Sequence, residues 1–365
     1  MGLFEMSGQI RKIVTLIGAV IAILFILWLV WVGFNKIYKA LFPPEPPIPV
    51  ALFGKLARPP LPKTKVDFSN TVFNIDLPEG NLPSTPEGLA VYPIPGPSGT
   101  LTSLDEANKK VKVLGFRERP KKLSEVNYLW TTSENKAKSL RMNIATGEFF
   151  FKYDHLKDPL ILKGVFKIRE EDAIKAAKRF LNRLRTFPEE LDNELTQLRF
   201  YKQAGKKRRG ATSFSEANIV EVLFYRKPIQ GKYPFVQQVP KSSFVRVVLG
   251  AGQNVDTGVA EAEFVFWNID LKNPSSYPLR TSLGAWEDFQ KGKASFVLGA
   301  TKQFDEIFLG EVTIGYFETK SYQAHLQPVY VFTGSGTYKG KLVDFVAYLP
   351  AVSEEHLKSE PIIKK

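Results

Sequence analysis

The longest apolar run in the chain most constrains what its N-terminal part can form. Residues 13–34 contain no charged side chain, and Thr15 carries the one hydroxyl of the run. A helix of this length rises about 1.5 Å per residue and is roughly 33 Å long, which matches the hydrocarbon thickness of a bilayer. Trp28, Trp31 and Tyr38 lie towards its C-terminal end, where amphipathic rings favour the membrane interface. The run predicts a transmembrane anchor that contacts membrane lipid.

A cleaved secretory signal is the competing interpretation of this run. The apolar part of such a signal usually has about 7–15 residues and precedes small residues, whereas here the run is longer and Tyr38 follows it. An uncleaved signal anchor is therefore favoured. Charge does not orient it, since two Lys/Arg flank each side (Arg11 and Lys12, Lys36 and Lys39). Because a long C-terminal domain crosses largely regardless of flanking charge, we expect residues 1–12 in the cytoplasm and the rest outside the cell membrane.

The composition changes after this run, over residues 35–65. Eight of the 25 prolines fall between Pro43 and Pro62, and proline-rich chains prefer an extended conformation that acts as a semi-rigid spacer. Residues 1–65 also carry eight Lys/Arg against two acidic residues, which is nearly half of the net charge of +13. We predict a basic linker near anionic lipid headgroups. Nucleic-acid binding by the rest of the chain is not expected.

Two segments that each begin with a helix and continue as strands follow this linker. In residues 66–163, a capping box at Ser103–Glu106 begins a helix, and strand-like runs follow between residues 128 and 153. In residues 164–350, a helix over 171–184 precedes strands at 218–226, 243–249, 259–267, 307–319, 326–333 and 342–349, with a short helix at 283–291. The predicted fold class is α+β: a single N-terminal transmembrane helix, a Pro-rich linker and repeated helix-plus-antiparallel-sheet modules. A split of the second module near residue 275 stays open, and residues 351–365 form a polar tail.

Several short stretches carry a resemblance to known families. The helix-then-sheet unit, with Glu171-Asp172-Ala173-Ile174 at a helix start, resembles PepSY domains. The distal part resembles the YycH/YycI group in four stretches: Ser276–Leu279, Ala285–Lys293, Gly315–Glu318 and Leu326–Phe332. Members of that group are single-pass bacterial proteins whose extracytoplasmic domain modulates a membrane histidine kinase. The resemblance implies binding or regulation outside the membrane without catalysis, and it transfers no site residues.

The composition and the motifs exclude several kinds of chemistry. The chain has no cysteine and three histidines, so thiol catalysis and cysteine-rich zinc sites are ruled out. Residues 334–342 miss the spacing of a phosphate-binding loop, and they predict the turn of a two-strand hairpin instead. His155 and His356 have no second histidine nearby and are expected at solvated or edge positions, whereas His325 is expected in a loop before a strand. No metal, cofactor or catalytic residue is predicted.

Two charged patterns have open interpretations. Glu261 and Glu263 lie on one face of a predicted strand, where they form either an acid–base pair or, as we favour, the solvated face of a half-buried strand. Lys206, Lys207, Arg208 and Arg209 lie between two glycines and form either a polyanion-binding loop or, as we favour, a solvated hairpin tip that discourages aggregation.

The sequence as a whole predicts a protein of the bacterial cell envelope that has no enzymatic activity. Its expected function is to bind and regulate an envelope protein through the extracytoplasmic domain. A structural subunit of a larger membrane complex is the alternative, and an envelope hydrolase is the third possibility, disfavoured by the failed search for motifs.

Overall fold

The computed structural model describes residues 23–34, 50–97, 103–132, 138–166, 168–185, 187–252, 258–301 and 303–359. The chain divides into two compact units, Met1–Ile48 and Pro49–Lys365. In the first unit, residues 23–34 form helix α1, in which Trp28 and Trp31 are exposed. Of the predicted interface residues, Tyr38 lies outside the described residues.

The prediction of a transmembrane, single-pass signal anchor is corrected by this structure. Among the described residues, no helix has both the length and the apolar character that crossing a membrane requires. A span of the hydrocarbon core needs about 20 helical residues, and α1 is described only over residues 23–34. The remainder of the predicted span, residues 13–22, lies outside the described part of the chain.

Strands dominate the described part of the second unit. In chain order they are β1 (Val72–Ile75), β2 (Gly88–Pro93), β3 (Lys121–Lys122), β4 (Asn127–Thr131), β5 (Lys138–Asn143), β6 (Phe149–Tyr153), β7 (Leu191–Ala204), β8 (Lys207–Gly210), β9 (Ile219–Arg226), β10 (Phe235–Gln237), β11 (Val245–Gly250), β12 (Val259–Phe264), β13 (Ser275–Pro278), β14 (Ser295–Leu298), β15 (Glu306–Glu318), β16 (His325–Tyr338) and β17 (Lys341–Pro350). The helices are α2 (Ser103–Lys112), α3 (Pro159–Lys163), α4 (Glu170–Leu184) and α5 (Ser282–Gln290), with 3-10 turns at His155–Lys157 and Glu354–His356.

The strands form two large sheets. Within the described residues, sheet A has nine strands in the order β3-β4-β5-β6-β12-β11-β9-β7-β8, and every neighbouring pair is antiparallel. Sheet B has eight strands around the order β1-β15-β16-β17-β14; β10 also pairs with β15, and β2 joins β16 to β13. The strand β6 pairs with β12, so the predicted first and second modules contribute to one sheet. The predicted repeat of helix-plus-sheet modules is therefore wrong, and the fold is sheet-rich.

Helix α4 covers one face of sheet A, as its apolar periodicity predicts. Phe180 is buried, and its ring centroid lies 5.1 Å from that of Phe151 on β6. Lys178 is partly buried, since its ammonium group lies 5.2 Å from the ring centroid of Phe187, and burial lowers its pKa. The helix stripe is confirmed, and this lysine belongs to its packed border.

The local elements of sheet B also follow the sequence patterns. The predicted short helix is α5, and its Thr281 side chain accepts a hydrogen bond from the Gly284 amide as an N-cap. The predicted hairpin turn joins β16 to β17 through Lys339 and Gly340, whose φ angles are 51° and 71°. Two consecutive positive φ angles match the right-handed twist of the flanking strands. The hairpin interpretation of residues 334–342 is confirmed.

The second half of the predicted linker is part of the folded unit. Leu56 is buried and forms an isolated β-bridge with Leu357. The side-chain amide of Gln327 donates a hydrogen bond to the Ala57 carbonyl oxygen at 2.7 Å. The Thr64 hydroxyl accepts a hydrogen bond from the Phe296 amide of β14 at 2.8 Å. Residues 50–65 thus run along sheet B, and residues 35–49 lie outside the described residues.

Candidate functional site

The face of sheet A opposite α4 carries a band of charged side chains. Residues along a strand alternate between faces, so Val247 and Ala262 point to the α4 side while Arg246 and Glu263 point away from it. The register places Arg246 of β11 directly opposite Glu263 of β12. On the other side of β11, Glu221 of β9 lies opposite Val248. Three neighbouring strands therefore bring one arginine and several glutamates together.

Arg246 is the centre of this cluster. Its Nη1 lies 3.1 Å from a carboxylate oxygen of Glu221 and 3.7 Å from one of Glu261, and its Nε donates to Glu263 at 3.1 Å. Burial lowers the pKa of Arg246, but the hydrogen bond to Glu263 and the charges of the three glutamates outweigh it, so the pKa is raised overall. The guanidinium stays charged and holds three carboxylates on one face.

Two residues outside the three strands complete the cluster. The Lys320 ammonium donates to the Glu263 carboxylate, and the Tyr201 hydroxyl donates to that of Glu221 at 3.3 Å. Lys320 lies just beyond the end of β15, so a residue that follows a strand of sheet B binds a side chain of sheet A. The cluster therefore marks the boundary between the two sheets, which we call the seam.

A second, fully buried ion pair crosses the seam. The Arg226 Nε lies 2.9 Å from the Glu318 carboxylate, and the two side chains are 5% and 6% exposed. The same guanidinium donates to the Trp267 carbonyl oxygen at 2.5 Å and lies 3.5 Å from the ring centroid of Phe266. Its hydrogen bonds and its aromatic contact satisfy a charge that would be costly to bury alone.

Cavities open along this seam beside both ion pairs. One, of about 400 Å³, is bordered by Glu221, Arg246 and Glu263 on the sheet side and by the 238–244 and 319–321 segments on the other. Another, of about 200 Å³, extends from Phe244 to the Arg226–Glu318 pair. A third, of about 310 Å³, is also bordered by Arg226 and is lined largely by apolar side chains such as Ile229 and Phe235. Ligand sites in proteins favour such junctions between structural layers.

The predicted strand face of Glu261 and Glu263 is confirmed, but its solvated character is not. The two carboxylates are 17% and 14% exposed, because they lie within the Arg246 cluster. The alternation of charged and apolar residues in β12 was the visible signal for the shared face. No pattern in the sequence indicated Arg246, Lys320 or the Arg226–Glu318 pair as their neighbours.

The basic stretch 206–209 lies at the edge of sheet A, and it lines none of the seam cavities. Gly205 and Lys206 form the turn, and Lys207, Arg208 and Arg209 lie on the exposed strand β8. The Arg208 Nε donates to the Gln203 side chain at 3.0 Å, and its guanidinium lies 5.5 Å from the Tyr201 ring centroid. Cations along an edge strand discourage pairing with other chains. Polyanion binding here stays a prediction.

The three histidines occupy different environments. His155 is 2% exposed, with its Nδ1 3.2 Å from the Tyr153 carbonyl oxygen, so its predicted solvated or edge position is wrong. His325 begins β16, and its ring centroid lies 4.9 Å from that of Phe53; burial, followed by the charge of Lys358, lowers its pKa. His356 belongs to a 3-10 turn. Within the described ranges, no group of three or more His, Cys, Asp or Glu side chains could hold a metal ion.

Comparison with known proteins places this chain in no family. No family model matches it, and no curated protein matches it. One similar solved structure is an uncharacterized protein from Eubacterium rectale ATCC 33656, which is 13% identical in sequence. The match covers 80% of this chain and 92% of that chain, with a TM-score of 0.38. A likeness at this level carries no argument about fold or function.

Proposed function

We propose that this protein is a non-catalytic binding protein that regulates a partner protein at the cell envelope, and that the partner binds along the seam. The observation that carries this proposal is the Arg246 cluster. All three of its carboxylates face a cation, and Glu263 binds both Arg246 and Lys320. A paired arrangement of this kind fixes the shape and charge of a surface, whereas an acid–base pair needs a carboxylate that is available to a substrate proton.

The seam also offers the mixture of groups that protein interfaces use. Val239 borders the cavity of about 400 Å³ beside Arg246 and is 63% exposed, so an apolar side chain lies next to the charged cluster. Lys320 is half exposed at the same border and supplies a cation. Interfaces typically surround a buried apolar anchor with polar and charged side chains. We therefore take the partner to insert an extended segment between the 238–244 and 319–321 segments.

The location of this protein at the cell envelope is a separate part of the proposal. It rests on the resemblance of the distal stretches to extracytoplasmic regulators of membrane kinases, and it does not depend on a membrane-spanning helix. Binding at the seam and location at the envelope are thus tested by different experiments.

The binding proposal is tested by chemical cross-linking of the full-length chain in its own cells, followed by mass spectrometry. Val239→Asp places a charge at the seam, and it is expected to abolish the cross-links that residues 238–244 form with a partner. Leu342→Asp is the matched control, because Leu342 is 67% exposed on β17 of sheet B, outside the residues that line the seam cavities. Both variants should have the melting temperature of the unsubstituted protein.

Three outcomes would contradict the proposal. Equal cross-linking by both variants would show that the seam is not the binding surface. Loss in Leu342→Asp alone would move the partner to sheet B. Turnover of a substrate that is lost with Glu263→Gln, in a protein that remains folded, would favour a catalytic function instead.

A further inference from the structure

A large cleft with basic walls lies in the second unit, next to residues 50–65. It has a volume of about 780 Å³ and is formed by residues 57–65, by residues 292–295 before and at the start of β14, and by residues 349–359 near the C-terminus. These three segments are distant in sequence, so only the folded chain creates the cleft. None of the residues that line the seam cavities lines this one.

The charges that line this cleft are strongly unbalanced. Among the described residues that line the cleft, Glu354 is the one acidic residue. The cations that line it are Arg58, Lys63, Lys65, Arg280, Lys293 and Lys358. Glu354 binds the guanidinium groups of Arg58 and Arg280, and Asp288, outside the lining, binds Arg280 and Lys293. Even with both carboxylates counted, four positive charges remain in excess.

Several of these cations have unused binding capacity. Within the described ranges, Lys63, Lys65 and Lys358 form no ion pair. Arg280 is only 11% exposed, and its Nε is buried without a hydrogen-bond partner among the same residues. A buried donor that lacks an acceptor costs free energy.

The cleft walls are held in place by contacts that do not involve the side chains of Lys63, Lys65 and Lys358. The bridge between Leu56 and Leu357 joins the first wall to the C-terminal segment. The hydrogen bond from the Phe296 amide to Thr64 joins it to β14, and the contact between Gln327 and the Ala57 carbonyl oxygen fixes its beginning. A preformed arrangement of charges lowers the ordering cost of binding.

We propose that this cleft binds a phosphate-bearing anion. Lysine ammonium groups bind phosphate as point charges. Three lysines that form no ion pair among the described residues, on walls with an excess of positive charge, suit an anion with several charged oxygens. Free polyphosphate and phosphate-containing lipid headgroups share this chemistry. The site is separate from the seam, and it is also separate from the basic stretch 206–209 on sheet A.

The test measures binding of tripolyphosphate to the full-length protein by isothermal titration calorimetry. The triple substitution Lys63→Gln, Lys65→Gln and Lys358→Gln removes the unpaired lysines, and we expect it to raise the dissociation constant about tenfold. The matched control is Lys109→Gln, Lys110→Gln and Lys112→Gln, which removes the same charge from the exposed side of α2, away from the cleft and from the basic stretch 206–209. We expect the control to change the dissociation constant less than about twofold, because separated surface charges are screened by salt.

A second arm identifies the source of the phosphate. Sedimentation with phosphatidylglycerol vesicles, compared with phosphatidylcholine vesicles, reports binding to an anionic headgroup. Vesicle binding that is lost in the cleft triple variant supports a lipid source, whereas tripolyphosphate binding without vesicle binding supports a free one. Circular dichroism and thermal melting establish that both triple variants are folded.

The proposal is overturned if unsubstituted protein binds neither probe. It is equally overturned if the control variant weakens binding as much as the cleft variant, since the effect would then be one of net charge. Binding of an oligoglutamate of equal charge with the same affinity would remove the preference for phosphate.

Discussion

The Arg226 Nε lies 2.9 Å from the Glu318 carboxylate, and this contact joins the last residue of β9 to the last residue of β15. It therefore links the end of a sheet A strand to the end of a sheet B strand. Both side chains are almost fully buried, so neither charge is solvated when the other is removed. The pair makes the seam sensitive to single substitutions at either end.

Glu318→Gln tests this dependence directly. It leaves the Arg226 charge buried without its carboxylate, so we expect unfolding free energy to fall by about 3–5 kcal/mol in urea denaturation. Glu287→Gln is the control, because Glu287 is exposed on α5 and pairs with Lys291 one helical turn away. Loss of this exposed ion pair is expected to lower the free energy of unfolding by less than about 0.5 kcal/mol. Equal midpoints for the two variants would show that the buried pair does not stabilise the fold.

Phe180→Ala tests the packing of α4 on sheet A. The substitution removes a buried ring that contacts Phe151, and we expect it to cost about 3–5 kcal/mol. Lys175→Ala on the exposed side of the same helix should change stability by less than about 0.5 kcal/mol. The two variants are compared by the midpoint of chemical unfolding. A small loss of stability in Phe180→Ala would contradict the assigned buried face of α4.

His325 is expected to make stability depend on pH. Its folded-state pKa lies below the ordinary value, mainly through burial and then through the charge of Lys358. Its contribution to stability is present above the unfolded-state pKa of about 6.5, and it is lost as the pH falls towards the lower folded-state value. The melting temperature of the unsubstituted protein should therefore fall more steeply below about pH 6.5 than that of His325→Gln.

The control for this measurement is Ser321→Ala, at an exposed position between β15 and β16 that carries no titratable group. Its pH profile should follow that of the unsubstituted protein. A parallel profile for His325→Gln would contradict the assignment of the pH dependence to His325.

The proposed location is tested with a single cysteine, because the chain has none of its own. Ser215 is exposed in the segment between β8 and β9, and Ser215→Cys should react in intact cells with a membrane-impermeant maleimide. A cytoplasmic protein with its own exposed cysteine serves as the lysis control. Labelling only after lysis would place this unit inside the cell and remove the envelope part of the proposal.

Local patterns in the sequence determined many elements of this protein. The apolar periodicity of α4, the alternation in β12 and the turn at Lys339–Gly340 depend on neighbouring residues, since helix period, strand period and positive φ are local properties. These patterns predicted six strands of sheet A (β4, β5, β6, β9, β11 and β12) and three of sheet B (β15, β16 and β17), and they missed the long strand β7. They also predicted the face that Glu261 and Glu263 share.

Only the tertiary structure decided how these elements combine. The pairing of β6 with β12 makes one sheet from two predicted modules. Leu56 is buried against Tyr277 and Leu357, which are more than 200 positions away in the sequence. Arg226 and Glu318 are 92 positions apart, so no local pattern relates them. Their contact results from the collective packing of two sheets, because a long-range contact forms only where many weaker interactions fix both of its ends.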